Sequence, residues 1–118
     1  MNYQAIYEAA MTAANEAATA ENARLGDESK RGFDCGFAWV DIETPRGKHS
    51  PETAAFVKHC KAAGLGSARG YGKSAWQFWS PAKAQTQSIS VHSAGAQAFA
   101  LVLRNHGIET AHAGSRLD

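Results

Sequence analysis

The chain has 118 residues, a hydrophobic content of 44% and a formal net charge of +1. Three Trp, three Tyr and five Phe are enough for a core, which excludes disordered and fibrous classes. The small net charge excludes a global field that would draw the protein to nucleic acid or to an anionic membrane. We expect one domain over 1–118, with an N-terminal helix over 1–24 and an α+β core over 33–118.

Basic side chains are concentrated in the middle third of the chain. Residues 45–83 contain seven basic side chains and one acidic one, whereas residues 1–44 contain three basic and eight acidic ones. Such a run is either a solvated surface or a binding face. Because the sequence has no secretory signal and no apolar run of about 18 residues, we expect a cytoplasmic protein without membrane contact.

The alanine-rich segment from Asn2 to about Arg24 is predicted to be a helix. It contains no Gly or Pro, and apolar residues recur at three- and four-residue spacing from Tyr3 to Ala18. Beyond Met11 the apolar stripe consists only of alanine. That end of the helix can therefore pack closely but contributes little to the driving force for packing.

The segment 33–42 is predicted to be a buried central strand, because its uncharged run over 35–40 is rich in residue types that favour a pleated surface. Alternation divides the side chains between two faces. One face carries Ala38, Val40 and Ile42, and the other carries Cys35, Phe37, Trp39 and Asp41. We expect two helices to cover the first face, and the N-terminal helix or a second subunit to cover Phe37 and Trp39.

The rest of the chain is predicted to contain two helices and three strands. In chain order these are a helix from Pro51 to Gly64, a glycine-rich connection over 64–72, a strand over 74–79, a strand over 86–90, a helix from Ser93 to His106 and a strand over 108–113. The order β-α-β-β-α-β after the first helix predicts a ferredoxin-like antiparallel sheet, with its first and third strands central. A different α+β strand order stays open.

The segment 69–74 ends like a phosphate-binding loop, but the signature requires a glycine where Ser67 stands. It also leads into a predicted strand, whereas such loops open a helix. An NTPase is therefore excluded, and a flexible basic loop that contacts an anion stays open.

Histidine and cysteine spacing gives no sign of a metal or catalytic site. None of the five histidines forms a pair with zinc-type spacing, and there is no Cys-x-x-Cys, so we expect no metal and no cofactor. Cys35 and Cys60 are expected to be buried free thiols, since nothing places a base beside either one. We expect no catalytic residues and a non-enzymatic protein, and an enzyme whose site is not recognisable stays open.

Several motifs cover about half the chain in a fixed order. They are Tyr3-x-x-x-Tyr7-x-x-Ala10, the strand Cys35-Gly36-Phe37-Ala38-Trp39-Val40, Phe78-Trp79, the helix from Ala98 to Ile108, and the ending Gly114-Ser115-Arg116-Leu117-Asp118. In these motifs the chain resembles a family of small uncharacterised proteins of tailed bacteriophages. It differs in its loop over 25–32, which lacks a proline-containing segment. The resemblance implies a phage origin and no particular activity.

We therefore predict a bacteriophage accessory protein in the host cytoplasm that binds a host protein or defence component, as an inhibitor or in host takeover. The candidate binding residues are Arg46, Lys48, Lys58, Lys61, Arg69, Tyr71, Lys73 and Arg116. The alternative is a nucleic-acid- or nucleotide-binding module that uses the basic loop. Base stacking on Phe37 and Trp39 would suit such a module, but core packing is favoured for both. A homodimer that buries Phe37 and Trp39 is a further expectation.

Overall fold

The computed structural model of the chain describes residues 2–26, 36–43, 49–68, 75–82 and 88–117. These residues form α1 (Tyr3–Leu25), β1 (Gly36–Glu43), α2 (Pro51–Ala63), β2 (Ser67–Ala68), β3 (Ala75–Trp79), α3 (Ile89–Asn105) and β4 (Ala111–Leu117). The strands form an antiparallel sheet in the order β2-β3-β1-β4. The predicted α+β class with an antiparallel sheet is confirmed.

Helices α1 and α2 begin with capping side chains that the sequence makes recognisable. The Asn2 side chain accepts a hydrogen bond from the Ala5 N–H at 3.0 Å, and Ser50 Oγ accepts one from the Thr53 N–H at 3.2 Å. Gly64 ends α2 with a φ of 73°, a left-handed conformation that glycine adopts without steric cost. The predicted start and stop of α2 are confirmed.

Strand β1 lies in the middle of the sheet and is paired along both sides. Val40 stands opposite Phe78 of β3 and Ala113 of β4. The side chains of Ala38, Val40 and Ile42 have no exposed surface. The predicted central strand is therefore confirmed over 36–42, with burial on the face of Val40, while residues 33–35 lie outside the described residues.

All three helices pack on the sheet face that carries Val40. The Phe78 ring, on the same face of β3, contacts a ring from each helix. Its centroid lies 5.8 Å from Tyr7 of α1, 6.3 Å from Phe56 of α2 and 5.0 Å from Phe99 of α3. The core is thus one layer between the sheet and the three helices, with these aromatic rings at its centre.

The alanine end of α1 packs closely against α3. Ala10 and Ala14 are completely buried. A Cβ atom added at Gly95 of α3 would lie 3.2 Å from the Ala14 carbonyl oxygen. Small residues on both helices therefore permit a backbone approach that larger side chains would prevent.

The predicted strand over 86–90 is wrong at Ile89 and Ser90, which form the first turn of α3, while Thr86 and Gln87 lie outside the described residues. The predicted cap at Ser93 is likewise wrong, since Ser88 precedes the helix and Ser93 lies within it. The physical reason is the stripe of buried residues at helical spacing, which extends into the first turn. This stripe consists of Val91, His92, Gly95, Ala96, Phe99, Ala100 and Leu103.

Two further boundaries differ from the prediction. The glycine-rich connection contains the two-residue strand β2, which pairs with β3, while 69–72 lie outside the described residues. The last strand begins at Ala111 and continues through the predicted tail to Leu117, because β4 pairs with almost the whole of β1. Among the helices of the described part of the chain, none is long and apolar enough to span a membrane.

The buried aromatic centre predicts that the same substitution, Phe to Ala, changes the free energy of unfolding by very different amounts at two positions. Phe99 is completely buried, whereas Phe37 is 39% exposed. We expect Phe99→Ala to lower the free energy of unfolding by about 4 kcal/mol, since it leaves a cavity in the core. Phe37→Ala should lower it by about 1 kcal/mol. Urea unfolding of both variants measures the difference, and equal losses would contradict this core.

Candidate functional site

The structure places three of the predicted binding residues, and it does not bring them together. Arg46, Lys48, Arg69, Tyr71 and Lys73 lie outside the described residues. Lys58 and Lys61 are exposed on α2, and the Lys61 Nζ lies 5.6 Å from the centroid of the Trp76 ring, a cation–π contact. Arg116 is exposed on β4 and stands opposite Phe37 on β1. The sheet therefore separates Arg116 from the two lysines.

Three aromatic side chains lie together on the sheet face opposite the helices. They are Phe37, Trp39 and Trp79, and we call them the aromatic face. The rings of Trp39 and Trp79 are stacked, with an interplanar angle of 1° and a centroid distance of 5.6 Å. The Phe37 ring lies 5.6 Å from that of Trp79. Phe37 is 39% exposed and Trp79 is 55% exposed, so the cluster presents a large apolar surface to solvent.

The N-terminal helix is not the cover of the aromatic face that the sequence led us to expect. Tyr7 of α1 packs instead between Phe78 and Phe99, on the opposite side of the sheet. Both faces of β1 are apolar in sequence, so alternation alone does not decide which of them the helix covers. The aromatic pocket for Tyr7 decides it.

Backbone register and a glycine hold the Trp39 indole flat on the sheet. Trp39 stands directly opposite Trp79 on one side and Gly114 on the other. A Cβ atom added at Gly114 would lie 2.7 Å from Trp39 Nε1, closer than side chains normally approach. The absent side chain at Gly114 therefore makes room for the indole.

Asp41 fixes the orientation of the same indole through a hydrogen bond. Asp41 is buried, with only 3% of the residue surface exposed. Trp39 Nε1 donates to Asp41 Oδ2 at 3.1 Å, and Gln77 Nε2 donates to Asp41 Oδ1 at 3.1 Å. Buried carboxylates need such partners, and the two bonds in turn restrict the Trp39 and Gln77 rotamers.

Polar side chains of β4 border the aromatic face. His112 stands opposite Asp41, and Arg116 stands opposite Phe37. Both His112 and Arg116 are exposed. On the β3 side, a groove of about 240 Å³ adjoins Trp79 and is lined by Tyr7, Met11, Gly66, Ser67, Gln77, Phe78, Trp79 and Pro81. An apolar centre with a polar rim is the usual composition of a surface that binds another molecule.

Cys60, the thiol that the structure describes, does not support nucleophilic catalysis. Cys60 is completely buried, and burial raises its pKa to about 12. The thiolate is the reactive form, so Cys60 is inert at neutral pH. Cys35 lies outside the described residues. Within the described ranges, no group of three or more His, Cys, Asp or Glu side chains is placed to hold a metal ion.

Fold and surface together define an α+β protein in which the helices of the described residues, α1, α2 and α3, lie on one face of an antiparallel sheet and a cluster of exposed aromatic rings lies on the other. No protein-family model, curated protein or solved structure matches the chain.

Trp79, Asp41 and Gly114 are the residues of this surface that the sequence did not single out as functional. Asp41 follows Trp39 by two positions, and this spacing places a carboxylate on an otherwise apolar face of the strand. That combination was the available signal. Gly114 gives no local signal, because its role depends on pairing with a strand far away in sequence.

Removing the Asp41 carboxylate should destabilise the protein and free the Trp39 ring. Asp41→Ala leaves the Trp39 and Gln77 donors without their acceptor, and we expect a loss of about 2 kcal/mol in the free energy of unfolding. Asp41→Asn can still accept from Trp39, and reorientation of the Gln77 amide restores the second bond, so its loss should stay below about 1 kcal/mol. Chemical unfolding measures both values. Equal stability of Asp41→Ala and the wild type would contradict the network.

The raised pKa of Cys60 predicts a loss of stability in alkali. In the folded state the thiol keeps its proton up to a pH of about 12, whereas the unfolded state releases it near the ordinary pKa of 9.0. The contribution of the protonated Cys60 thiol to the free energy of unfolding is therefore complete below pH 9.0 and is lost as the pH rises towards about 12. The free energy of unfolding, followed across this window, should fall less steeply for Cys60→Ala than for the wild type. Identical slopes would show that the thiol is not desolvated.

Proposed function

We propose that the chain is a small non-enzymatic bacteriophage accessory protein that acts in the host cytoplasm by binding a host protein or defence component. We further propose that the aromatic face is the contact surface. The single observation that carries this proposal is the exposure of 55% of Trp79 beside the 39% exposed Phe37. Trp is among the residues that most often dominate the binding energy of protein interfaces.

Pre-organisation of the aromatic face supports the same proposal. Trp39 is held by Asp41 and stacks on Trp79, so these rings lose little conformational freedom when a partner covers them. Rigid, partly exposed rings are a favourable arrangement for an interface hot spot.

The phage origin is supported by the sequence resemblance described above, in particular by the strand over 35–40 and the ending from Gly114 to Asp118. We also propose the finer fold assignment, a ferredoxin-like core preceded by α1. Its support is the element order β1-α2-β2-β3-α3-β4 together with β1 and β3 as the two central strands. In this assignment the second strand is reduced to the two residues of β2, and the central third strand is Ala75–Trp79 instead of the segment 86–90 that the sequence predicted.

Single-stranded nucleic acid is the second candidate partner. Exposed aromatic rings on a four-stranded sheet are the stacking platform of RNA-recognition modules. Arg116 borders the rings and would contact a phosphate. The described part of this face offers few cations, whereas an apolar protein partner needs none. The protein partner is therefore preferred.

Binding should depend on Trp79 and not on the basic residues of α2. We expect Trp79→Ala to weaken capture of the host partner by about 30-fold, because removal of a hot-spot Trp costs about 2 kcal/mol. Lys58→Ala, on the exposed surface of α2, is the control and should bind as the wild type does. Quantitative pull-down from host extract, followed by titration of the captured protein, gives both values.

Retention of binding by Trp79→Ala, with loss in Lys58→Ala, would place the contact on α2 and overturn the proposal. Titration of a single-stranded oligonucleotide at two salt concentrations tests the second candidate, since phosphate contacts weaken as salt rises. Binding that falls with salt and with Trp79→Ala would favour nucleic acid. No oligonucleotide binding at low salt would remove that candidate.

A further inference from the structure

Strand β4 has an outer edge that pairs with no strand among the described residues. It is seven residues long and contains no proline, and Ser115, Arg116 and Leu117 are exposed. Natural edge strands are usually short, bulged or blocked, because unpaired N–H and C=O groups are a template for another strand. Among the described residues, the β4 edge has no bulge, proline or covering element along Ala113 to Leu117, and Arg116 is the charged side chain on this stretch.

The direction of the unpaired groups follows from the hydrogen bonds of β1. The Ser80 N–H donates to the Ala38 carbonyl at 3.0 Å, so the backbone groups of Ala38 point towards the β3 side. Backbone groups alternate in direction along a strand, and those of Trp39 therefore point towards β4. Trp39 stands opposite Gly114, whose N–H and C=O consequently point towards β1.

Ala113 and Ser115, on either side of Gly114, must then direct their N–H and C=O groups outward. Ala111 lies two residues before Ala113, so its backbone groups also point outward. Its carbonyl accepts a hydrogen bond of 2.9 Å from Arg104 Nη1 of α3. Arg104 thus satisfies one outward carbonyl. The backbone groups of Ala113 and Ser115 form the accessible part of the edge.

A groove with apolar and polar walls runs beside this edge. It has a volume of about 560 Å³ and lies between α3 and β4, lined by Ala94, Gln97, Ala98, Leu101, Arg104 and Ala113. Leu101 is 50% exposed at its wall. A strand added to β4 would therefore meet the Leu101 side chain of α3 as well as outward backbone groups.

We propose that the occupant of this edge is a second copy of the chain, joined through antiparallel pairing of the two β4 strands about a two-fold axis at Gly114. Ala113 of each copy would exchange two backbone hydrogen bonds with Ser115 of the partner subunit, which gives four bonds for the dimer. The contact is isologous and therefore closes at two copies. This proposal uses a different surface from the aromatic face and does not rest on the proposed function.

Helix packing fits this arrangement. Helix α3 packs over both β1 and β4. With strands about 4.8 Å apart in the extended sheet, the two α3 helices would lie about 10 Å apart, a normal distance for packed helices. Ala113 lines this groove together with Leu101, and Ser115 lines a neighbouring groove together with Ser93. Gln97 lines both grooves, so the proposed axis at Gly114 lies level with Gln97.

Rotation about that axis would place Leu101 of one copy against Ala94 of the partner subunit. A large exposed side chain then meets a small one, as close packing requires. The same rotation would bring Arg104 towards Glu21 of the partner subunit, which lies at the opposite end of the combined grooves. Glu21 already accepts hydrogen bonds from Arg24, and a carboxylate has capacity for a second guanidinium. Complementary size and charge within one chain favour a second copy over an unrelated peptide.

Sedimentation equilibrium of the wild type and two matched pairs of variants tests the dimer. The wild type should have a mass of twice 12.6 kDa. Ser115→Pro removes an outward N–H and should raise the dimer dissociation constant by about tenfold or more, since symmetry doubles each loss, whereas Ser115→Ala keeps the N–H and the dimer. Leu101→Lys should weaken the dimer, and Ala62→Lys, on the exposed surface of α2, should not.

A wild type that is monomeric at every concentration would overturn the proposal. So would a dimer that persists in Ser115→Pro and Leu101→Lys but dissociates in Trp79→Ala, because its interface would then be the aromatic face. Circular dichroism checks that each variant is folded. If Ser115→Pro does not fold, amide exchange of Ser115 in the wild type decides the question. Protection that increases with protein concentration supports the β4 interface, and protection that is independent of concentration contradicts it.

Discussion

The packing of Tyr7 between Phe78 and Phe99 determines the arrangement of the whole molecule. It brings α1 onto the face of the sheet that α2 and α3 already cover. The alanine stripe of α1 can then lie close to α3, where Gly95 leaves room for the Ala14 carbonyl. One side of the sheet thereby receives α1, α2 and α3, and no helix of the described residues covers the aromatic side chains on the other side.

The second face is ordered even though it is exposed. Stacking of Trp39 on Trp79, the hydrogen bond from Trp39 to Asp41 and the space above Gly114 each restrict the same indole. A face that is only solvated has no need of a buried carboxylate that orients a ring, because burying a carboxylate costs free energy. The proposed role of this face as a contact surface would account for this cost, since a partner would then meet the rings in one orientation.

Local sequence signals predicted the elements whose causes are local. Ser50 and Gly64 delimit α2, and the uncharged run of β1 marks a central strand. Local signals failed where pairing with a strand distant in sequence determines the structure. The two-residue strand β2 and the extension of β4 to Leu117 are the examples. Alternation along β1 placed Phe37 and Trp39 on the aromatic face, whereas Trp79 joins them through the pairing of β3 with β1. The exposure of this face did not follow from alternation, because it depends on which side of the sheet Tyr7 finds its pocket.

Nuclear Overhauser contacts of the Tyr7 ring test the central claim most directly, since they report which face of the sheet α1 covers. We expect contacts from the Tyr7 ring to the rings of Phe78 and Phe99, and a contact from the Trp39 indole to the Gly114 Hα atoms. Contacts from Tyr7 or Met11 to the Trp39 indole would contradict it, because α1 would then cover the aromatic face.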